Sequence, residues 1–140
     1  MENRFFMDLK YISICFDKLI ERKTGFTSAQ LRIIGFLMQR RDDAVYQKDI
    51  EDIVGVSRAA VSAILDKMER ASLIIRRSSA YDKRMKRVSL SEQGVAAAHD
   101  VYKTMCSIED EICSCLTDGE METIFTVKSK LVSKLEELGC

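Results

Sequence analysis

Apolar residues recur every three or four positions along most of the chain, which is the spacing of one face of an α-helix. Near the N-terminus this spacing predicts a helix over about residues 3–23, with apolar positions at Phe5, Leu9, Ile12, Phe16 and Leu19. Such a stripe can face the chain's own core, but a heptad seam with charges on the other faces also suits packing against a second chain. Two C-terminal helices with similar stripes are expected, one over about 91–116 and one after a capping sequence at 117–120.

The centre of the chain has the pattern of a helix–turn–helix. A capping sequence at 27–30 begins a strongly apolar helix, and a helix of about two turns is predicted over 47–54. Gly55 can adopt the turn conformation that a Cβ would resist, and Ser57 is a favourable N-cap for a further helix to about Arg70. In this arrangement the second helix can project its outer face into a major groove of DNA.

Two β-prone runs, 73–75 and 88–90, flank a polar and charged stretch and predict a hairpin with a long tip. One further short strand is expected at 44–46. The chain has six glycines and no proline in 140 residues, which favours long uninterrupted helices over a β-sandwich or barrel. The predicted fold class is therefore mainly α with a small β-hairpin.

The net charge of zero conceals an uneven distribution. Between Arg70 and Arg87 seven bases face one acid, a net charge of +6, whereas from Ser91 to Cys140 four bases face ten acids, a net charge of −6. Because salt screens charges beyond about 8 Å, a phosphate backbone senses local charge rather than the total. A basic run is more often a solvated surface, so charge alone does not establish a nucleic-acid partner.

The segment after the second helix of the helix–turn–helix carries D-x-R followed by L-S-x-x-G, through Asp82, Arg84, Leu90, Ser91 and Gly94. In this position it resembles the signature of the MarR family of bacterial winged helix–turn–helix regulators, and the order of elements matches over the whole chain. The resemblance implies a winged helix–turn–helix region over 27–99, in which the hairpin is the wing. It also implies a homodimer formed by interleaved helices over 1–24 and 100–140.

The resemblance further implies that Arg84 at the wing tip enters a minor groove while Asp82 holds it in place. A narrow A·T minor groove concentrates negative potential, which suits an arginine at a hairpin tip. On the second helix, Arg58 can reach a guanine edge or a phosphate. The predicted DNA contacts are Ser57, Arg58, Ala59, Ser62, Lys67, Arg76, Arg77, Asp82, Lys83, Arg84, Lys86 and Arg87.

Three positions on the helix–turn–helix depart from a simple DNA-binding surface. Asp66 lies on the outer face of the second helix and is repelled by DNA unless it is paired. The family usually has an alanine at the position of Glu51, so the larger glutamate side chain affects how the two helices of the helix–turn–helix pack against each other. Many members have an arginine or another polar residue at the position of Ala63, so sequence specificity is expected to depend more on groove shape here.

The expected function is that of a sequence-specific regulator of transcription, most often a repressor, which binds a pseudo-palindromic operator in double-stranded DNA as a homodimer. Family members commonly release DNA when a small amphipathic or aromatic effector enters a cleft between the dimer helices and the winged region. No motif marks the residues of that cleft. A thiol-based redox sensor of the same fold is an alternative, because some relatives sense peroxides through a cysteine in the first helix.

Cys15 stands near that place in the first helix, but those sensors use tyrosines on the second helix, and residues 27–38 contain none. Cys15 also borders the apolar seam, where burial disfavours the reactive thiolate, so an inert cysteine is favoured. A winged-helix module that binds another protein is a second alternative. Such modules lack basic wing tips, so the +6 segment argues against it.

No enzyme, cofactor or metal is expected. The chain has one histidine, no glycine-rich phosphate loop and no Ser-His-Asp or Cys-His pattern. His99, Cys106 and Cys113 recur every seven residues, but seven residues advance about 10.5 Å along a helix, too far for one ion to bind two of them. With no secretory signal and no apolar run of about eighteen residues, a cytoplasmic protein with free thiols and no membrane contact is expected.

Overall fold

The computed structural model describes residues 4–140, which form six helices and one two-stranded antiparallel sheet. In chain order the elements are α1 (Phe5–Thr24), α2 (Ser28–Gln39), α3 (Gln47–Val54), α4 (Arg58–Arg70), β1 (Ile74–Ser78), β2 (Lys86–Leu90), α5 (Glu92–Cys113) and α6 (Asp118–Glu137). The predicted fold class, mainly α with a β-hairpin wing, is confirmed. Within 4–140 no helix is long and apolar enough to cross a membrane.

The chain divides after Met105 into two compact units, and the division falls within α5. In the first unit the helix–turn–helix and the wing share one apolar core, formed by Ile33, Ile34, Leu37, Val45, Ile50, Val54, Val61, Leu65, Met68, Ile74, Val88 and Ala98. In the second unit none of the residues of α6 is buried. The core therefore lies where it fixes α4 and the wing in place.

Both predicted capping sequences are confirmed as capping boxes. The Thr27 hydroxyl accepts from the Gln30 backbone N–H at 3.3 Å, and the Gln30 side chain accepts from the Thr27 N–H at 3.0 Å. Thr117 and Glu120 make the same exchange at the start of α6, at 3.2 and 2.8 Å. These bonds satisfy N–H groups that a helix start otherwise leaves without a partner.

The strand expected at 44–46 is reduced to a single bridge between Tyr46 and Arg87. The Val88 N–H donates to the Val45 carbonyl at 2.8 Å. The N–H of the residue after Val45, Tyr46, does not pair with the hairpin but donates to the Asp49 carboxylate at 2.9 Å. Because that bond begins α3, the chain turns into a helix before a strand can extend. The two strands of the hairpin are longer than predicted. Helix α5 ends at Cys113, three residues before the predicted end at position 116.

A close crossing joins the wing to α5. The Ser91 hydroxyl donates to the Ser72 carbonyl and accepts from the Gly94 N–H at 2.9 Å, while the Ser91 N–H donates to the Leu73 carbonyl at 3.0 Å. A Cβ on Gly94 would lie 2.0 Å from the Leu73 carbonyl oxygen, closer than unbonded atoms can approach. The serine and glycine of the L-S-x-x-G sequence therefore fix the wing to the helix that follows it.

Candidate nucleic-acid interface

The turn between α3 and α4 has the predicted geometry. Gly55 ends α3 in the left-handed conformation, with φ +71°, and its N–H donates to the Glu51 carbonyl at 3.3 Å. The Ser57 hydroxyl accepts from the Ala60 N–H at 3.2 Å and so caps α4. That hydroxyl keeps its own proton, which can be donated to a phosphate. The turn therefore leaves the N-terminus of α4 exposed, as the binding of an anion at a helix end requires.

The outer face of α4 presents the side chains that the sequence predicts. Ser57, Arg58, Ala59 and Lys67 are exposed, and Ser62 is half-buried. The side chain of Arg58 is 85% exposed, and its Nε lies 3.7 Å from the carboxylate of Glu51. A single ion pair at this distance with a solvent-exposed arginine is weak, so the guanidinium is available to a nucleic acid. The carboxylate of Glu51 extends from α3 towards Arg58 on α4.

The wing tip spans residues 79–85, between the two strands. The Asp82 carboxylate accepts from the backbone N–H of Arg84 at 2.9 Å, and the Ser79 N–H donates to the Met85 carbonyl at 2.7 Å. Asp82 therefore holds the main chain of Arg84, while the side chains of 82–87 are all exposed. The predicted residues Asp82, Lys83, Arg84, Lys86 and Arg87 all lie on this exposed segment.

Arg76 differs from the other predicted residues. Arg77 beside it is exposed, but the side chain of Arg76 is 10% exposed and its guanidinium contacts two carboxylates of α4, those of Asp66 and Glu69. Hydrogen bonds from Arg76 hold the pKa of both carboxyl groups below their ordinary values. Asp66 is therefore paired, which sequence reasoning missed because its partner lies on a different element, ten residues away.

A cavity of about 410 Å³ lies between α1, α2 and α5 within the first unit. Its walls are mainly apolar and include Ile20, Leu31, Ile34, Met38, Val101 and Met105, with polar groups from Asp17, Arg32 and Tyr102. Sequence reasoning did not find these residues, because three helices contribute them and no motif links their positions. Ile34 also belongs to the core of the helix–turn–helix.

The cysteines form no disulfide, and Cys15 is half-buried. Contact with the Cys15 thiol raises the pKa of Tyr11, which lies one turn earlier on α1. Within the described part of the chain, no three potential ligands among histidine, cysteine, aspartate and glutamate lie together as a metal site would require. Neither the half-buried position of Cys15 nor its contact with Tyr11 favours a thiol-based redox sensor over a cysteine that is only packed.

Comparison with known proteins finds relatives of similar sequence and fold. A model of the MarR family matches residues 24–85, from the end of α1 to the wing tip. The HTH-type transcriptional regulator MhqR of Bacillus subtilis is 25% identical over 100 residues, which cover 71% of this chain and 68% of that protein. A solved variant of MepR from Staphylococcus aureus is 26% identical with a TM-score of 0.78, over 94% of this chain and 95% of that one. Another MepR variant, bound to an oligodeoxyribonucleotide, is 25% identical with a TM-score of 0.68, over 94% of both chains.

Proposed function

We propose that the chain is a winged-helix transcription regulator of the MarR family, because a model of that family matches residues 24–85 and the relatives are transcription regulators of the same fold. In this proposal it binds a pseudo-palindromic operator as a homodimer and represses transcription until an effector binds. One observation carries the proposal: the basic wing tip and the capped N-terminus of α4 are both exposed, on a core that fixes them together. The oligodeoxyribonucleotide bound to the MepR variant supports DNA as the partner.

In this proposal α4 lies in the major groove and the wing reaches the adjacent minor groove. Arg58 is the residue of α4 best suited to a base edge, because its guanidinium is exposed and can form two parallel hydrogen bonds with guanine. Ser57, Ser62 and Lys67 contact phosphates, and Ala59 allows close approach. On the wing, Arg84 enters the minor groove while Arg77, Lys83, Lys86 and Arg87 contact the phosphate backbone.

Exposed apolar residues support the homodimer. Phe5, Leu9 and Ile12 of the predicted seam on α1 are 50%, 38% and 60% exposed, and Ile20 is the buried residue of that helix. Helix α6, in the second unit, exposes Ile124, Phe125, Val127, Val132 and Leu135. Apolar surface of this extent on a single chain is typical of an interface. In a homodimer, two α4 helices about one DNA turn apart would read the two halves of a pseudo-palindromic operator.

The cavity between α1, α2 and α5 is the proposed effector site. Its volume of about 410 Å³ suits one small molecule, since ligand pockets commonly measure about 300–1,000 Å³. The walls of the cavity are mainly apolar and also include the charged side chains of Arg32 and Asp17, which favours an amphipathic or aromatic compound. Because Ile34 lines the cavity and also packs in the core of the helix–turn–helix, an occupant can alter the position of the DNA-binding elements.

A mobility-shift assay with the full chain and random-sequence duplex DNA at low salt tests the proposal. We expect a shift that weakens steeply as salt is added, because phosphate contacts displace counterions. Duplexes selected from a random pool should be pseudo-palindromic, and light scattering should give twice the 16.0 kDa mass of the chain. A chain that binds no DNA at any salt concentration would favour the protein-binding module instead.

Introducing a tryptophan at Met38 is expected to report effector binding, because the natural chain has no tryptophan and Met38 lines the cavity. Small aromatic acids that release DNA from the parent chain should change the emission of Met38→Trp in a saturable way, or lose their effect if the indole fills the cavity. The measurement is a fluorescence titration without DNA. The matched control is Tyr81→Trp at the wing tip, where the native side chain is fully exposed and no response is expected. Release of DNA from Met38→Trp with unchanged emission would place the effector elsewhere.

A further inference from the structure

The first observation concerns the side of the wing that carries Arg76. Ile74 and Arg76 alternate with the exposed Ile75 and Arg77 along β1, and Arg76 lies opposite the buried Val88 of β2. Since cross-strand neighbours point to the same face of a sheet, Arg76 continues the buried face of the wing. A basic side chain on that face points away from the face that carries the exposed Arg77.

The second observation is the set of contacts that Arg76 makes. Its Nη2 contacts the Asp66 carboxylate and lies 3.2 Å from Oε1 of Glu69, while its Nε donates to Oε2 of Glu69 at 3.4 Å. Asp66 and Glu69 are three residues apart on α4, so they lie on the same side of that helix. A planar guanidinium that contacts both carboxylates links the wing strand to α4 in one orientation.

The third observation is electrostatic. Asp66 and Glu69 are about half exposed and stand on the helix that carries the proposed contacts Ser62 and Lys67. Their hydrogen bonds with Arg76 lower the pKa of both groups, so both are ionised at neutral pH. Two unpaired negative charges within about 8 Å of a phosphate backbone would repel it with little screening.

We propose that Arg76 is a positioning residue for DNA binding: its single positive charge offsets part of the negative charge of Asp66 and Glu69 on α4, and it does not contact DNA itself. The inference rests on the proposed DNA binding. It differs from the sequence-based prediction that Arg76, as part of the basic run, contacts DNA directly. The two roles have different consequences, since a lost direct contact cannot be restored by changing the carboxylates of α4.

The test compares the parent chain with Arg76→Met and with Arg76→Met/Asp66→Asn/Glu69→Gln, on a duplex selected by the parent. We expect Arg76→Met to lower affinity about tenfold at low salt, and less at high salt, where the exposed carboxylates are screened. The triple variant should return to within about threefold of the parent, because it has neither the cation nor the two anions. Circular dichroism and the melting temperature show whether each variant is folded.

Arg77→Met is the matched control, because it removes the neighbouring basic side chain, which is exposed. In the Arg77→Met variant, neutralising Asp66 and Glu69 is not expected to restore the affinity that was lost. If Arg76→Met fails to fold, the triple variant still decides: affinity close to that of the parent supports the proposal, and loss of about tenfold or more in a folded protein overturns it. Parent-like affinity of Arg76→Met also overturns it. A parent chain that binds no duplex, in contrast, contradicts the proposed function itself.

Discussion

Replacing Arg84 with alanine is expected to lower the affinity of the chain for its operator at least about thirtyfold. The Asp82 carboxylate accepts from the backbone N–H of Arg84 at 2.9 Å, which fixes the main chain of the wing tip at that point. The side chain of Arg84 is exposed. An arginine inserted in a groove contributes about 1–3 kcal/mol, and the proposed homodimer would lose this contribution at two wings, so the expected loss is about 2–6 kcal/mol. Titration of a labelled operator duplex with parent and variant measures it.

Lys103→Ala is the control for Arg84→Ala, because it removes one exposed positive charge from α5 rather than from the wing. Its affinity is expected to stay within about twofold of the parent, since a single remote charge is screened. The two variants should also differ in salt dependence, with a shallower slope for Arg84→Ala alone. Arg84→Ala that binds the operator as tightly as the parent would show that the wing assignment is wrong.

Replacing Gly94 with alanine is expected to destabilise the fold by about 3 kcal/mol or more. The new Cβ would lie 2.0 Å from the Leu73 carbonyl oxygen and 3.0 Å from its carbon. Neither atom belongs to a flexible side chain, and the same oxygen accepts from the Ser91 N–H at 3.0 Å. The crossing must therefore open, which moves the wing as well as α5. Urea unfolding measures the loss, at one fixed chain concentration because the proposed homodimer would make stability depend on concentration.

Gly35→Ala is the matched control for Gly94→Ala. Gly35 is also helical, but a Cβ there would meet no atom within 4 Å. Alanine favours a helix over glycine by about 1 kcal/mol, so this variant is expected to be as stable as the parent or slightly more stable. If Gly94→Ala unfolds at the same urea concentration as the parent, α5 does not pass close enough to the Leu73 carbonyl to exclude a Cβ at position 94.

Local features of this chain could be predicted from its sequence because they depend on residues only a few positions apart. The capping boxes at Thr27 and Thr117, the end of α3 at Gly55 and the cap of α4 at Ser57 all follow from the hydrogen bonds of adjacent turns. The apolar spacing likewise predicted the six helices of the described residues, and two β-prone runs predicted the hairpin. The limit of this approach appears at 44–46, where a β-prone run makes one bridge because the next N–H begins a helix.

The sequence by itself determined the elements, their order and the basic wing, since spacing and side-chain chemistry specify these locally. Only the tertiary structure decided which basic residue is not available at the surface, because the carboxylates that hold Arg76 lie on α4, seven and ten residues away. It alone also showed why position 94 requires glycine, and where three helices enclose a cavity. The physical reason is the same in each case. Contacts between elements depend on how whole faces of helices and strands pack, and the spacing of residues along the chain does not predict that packing.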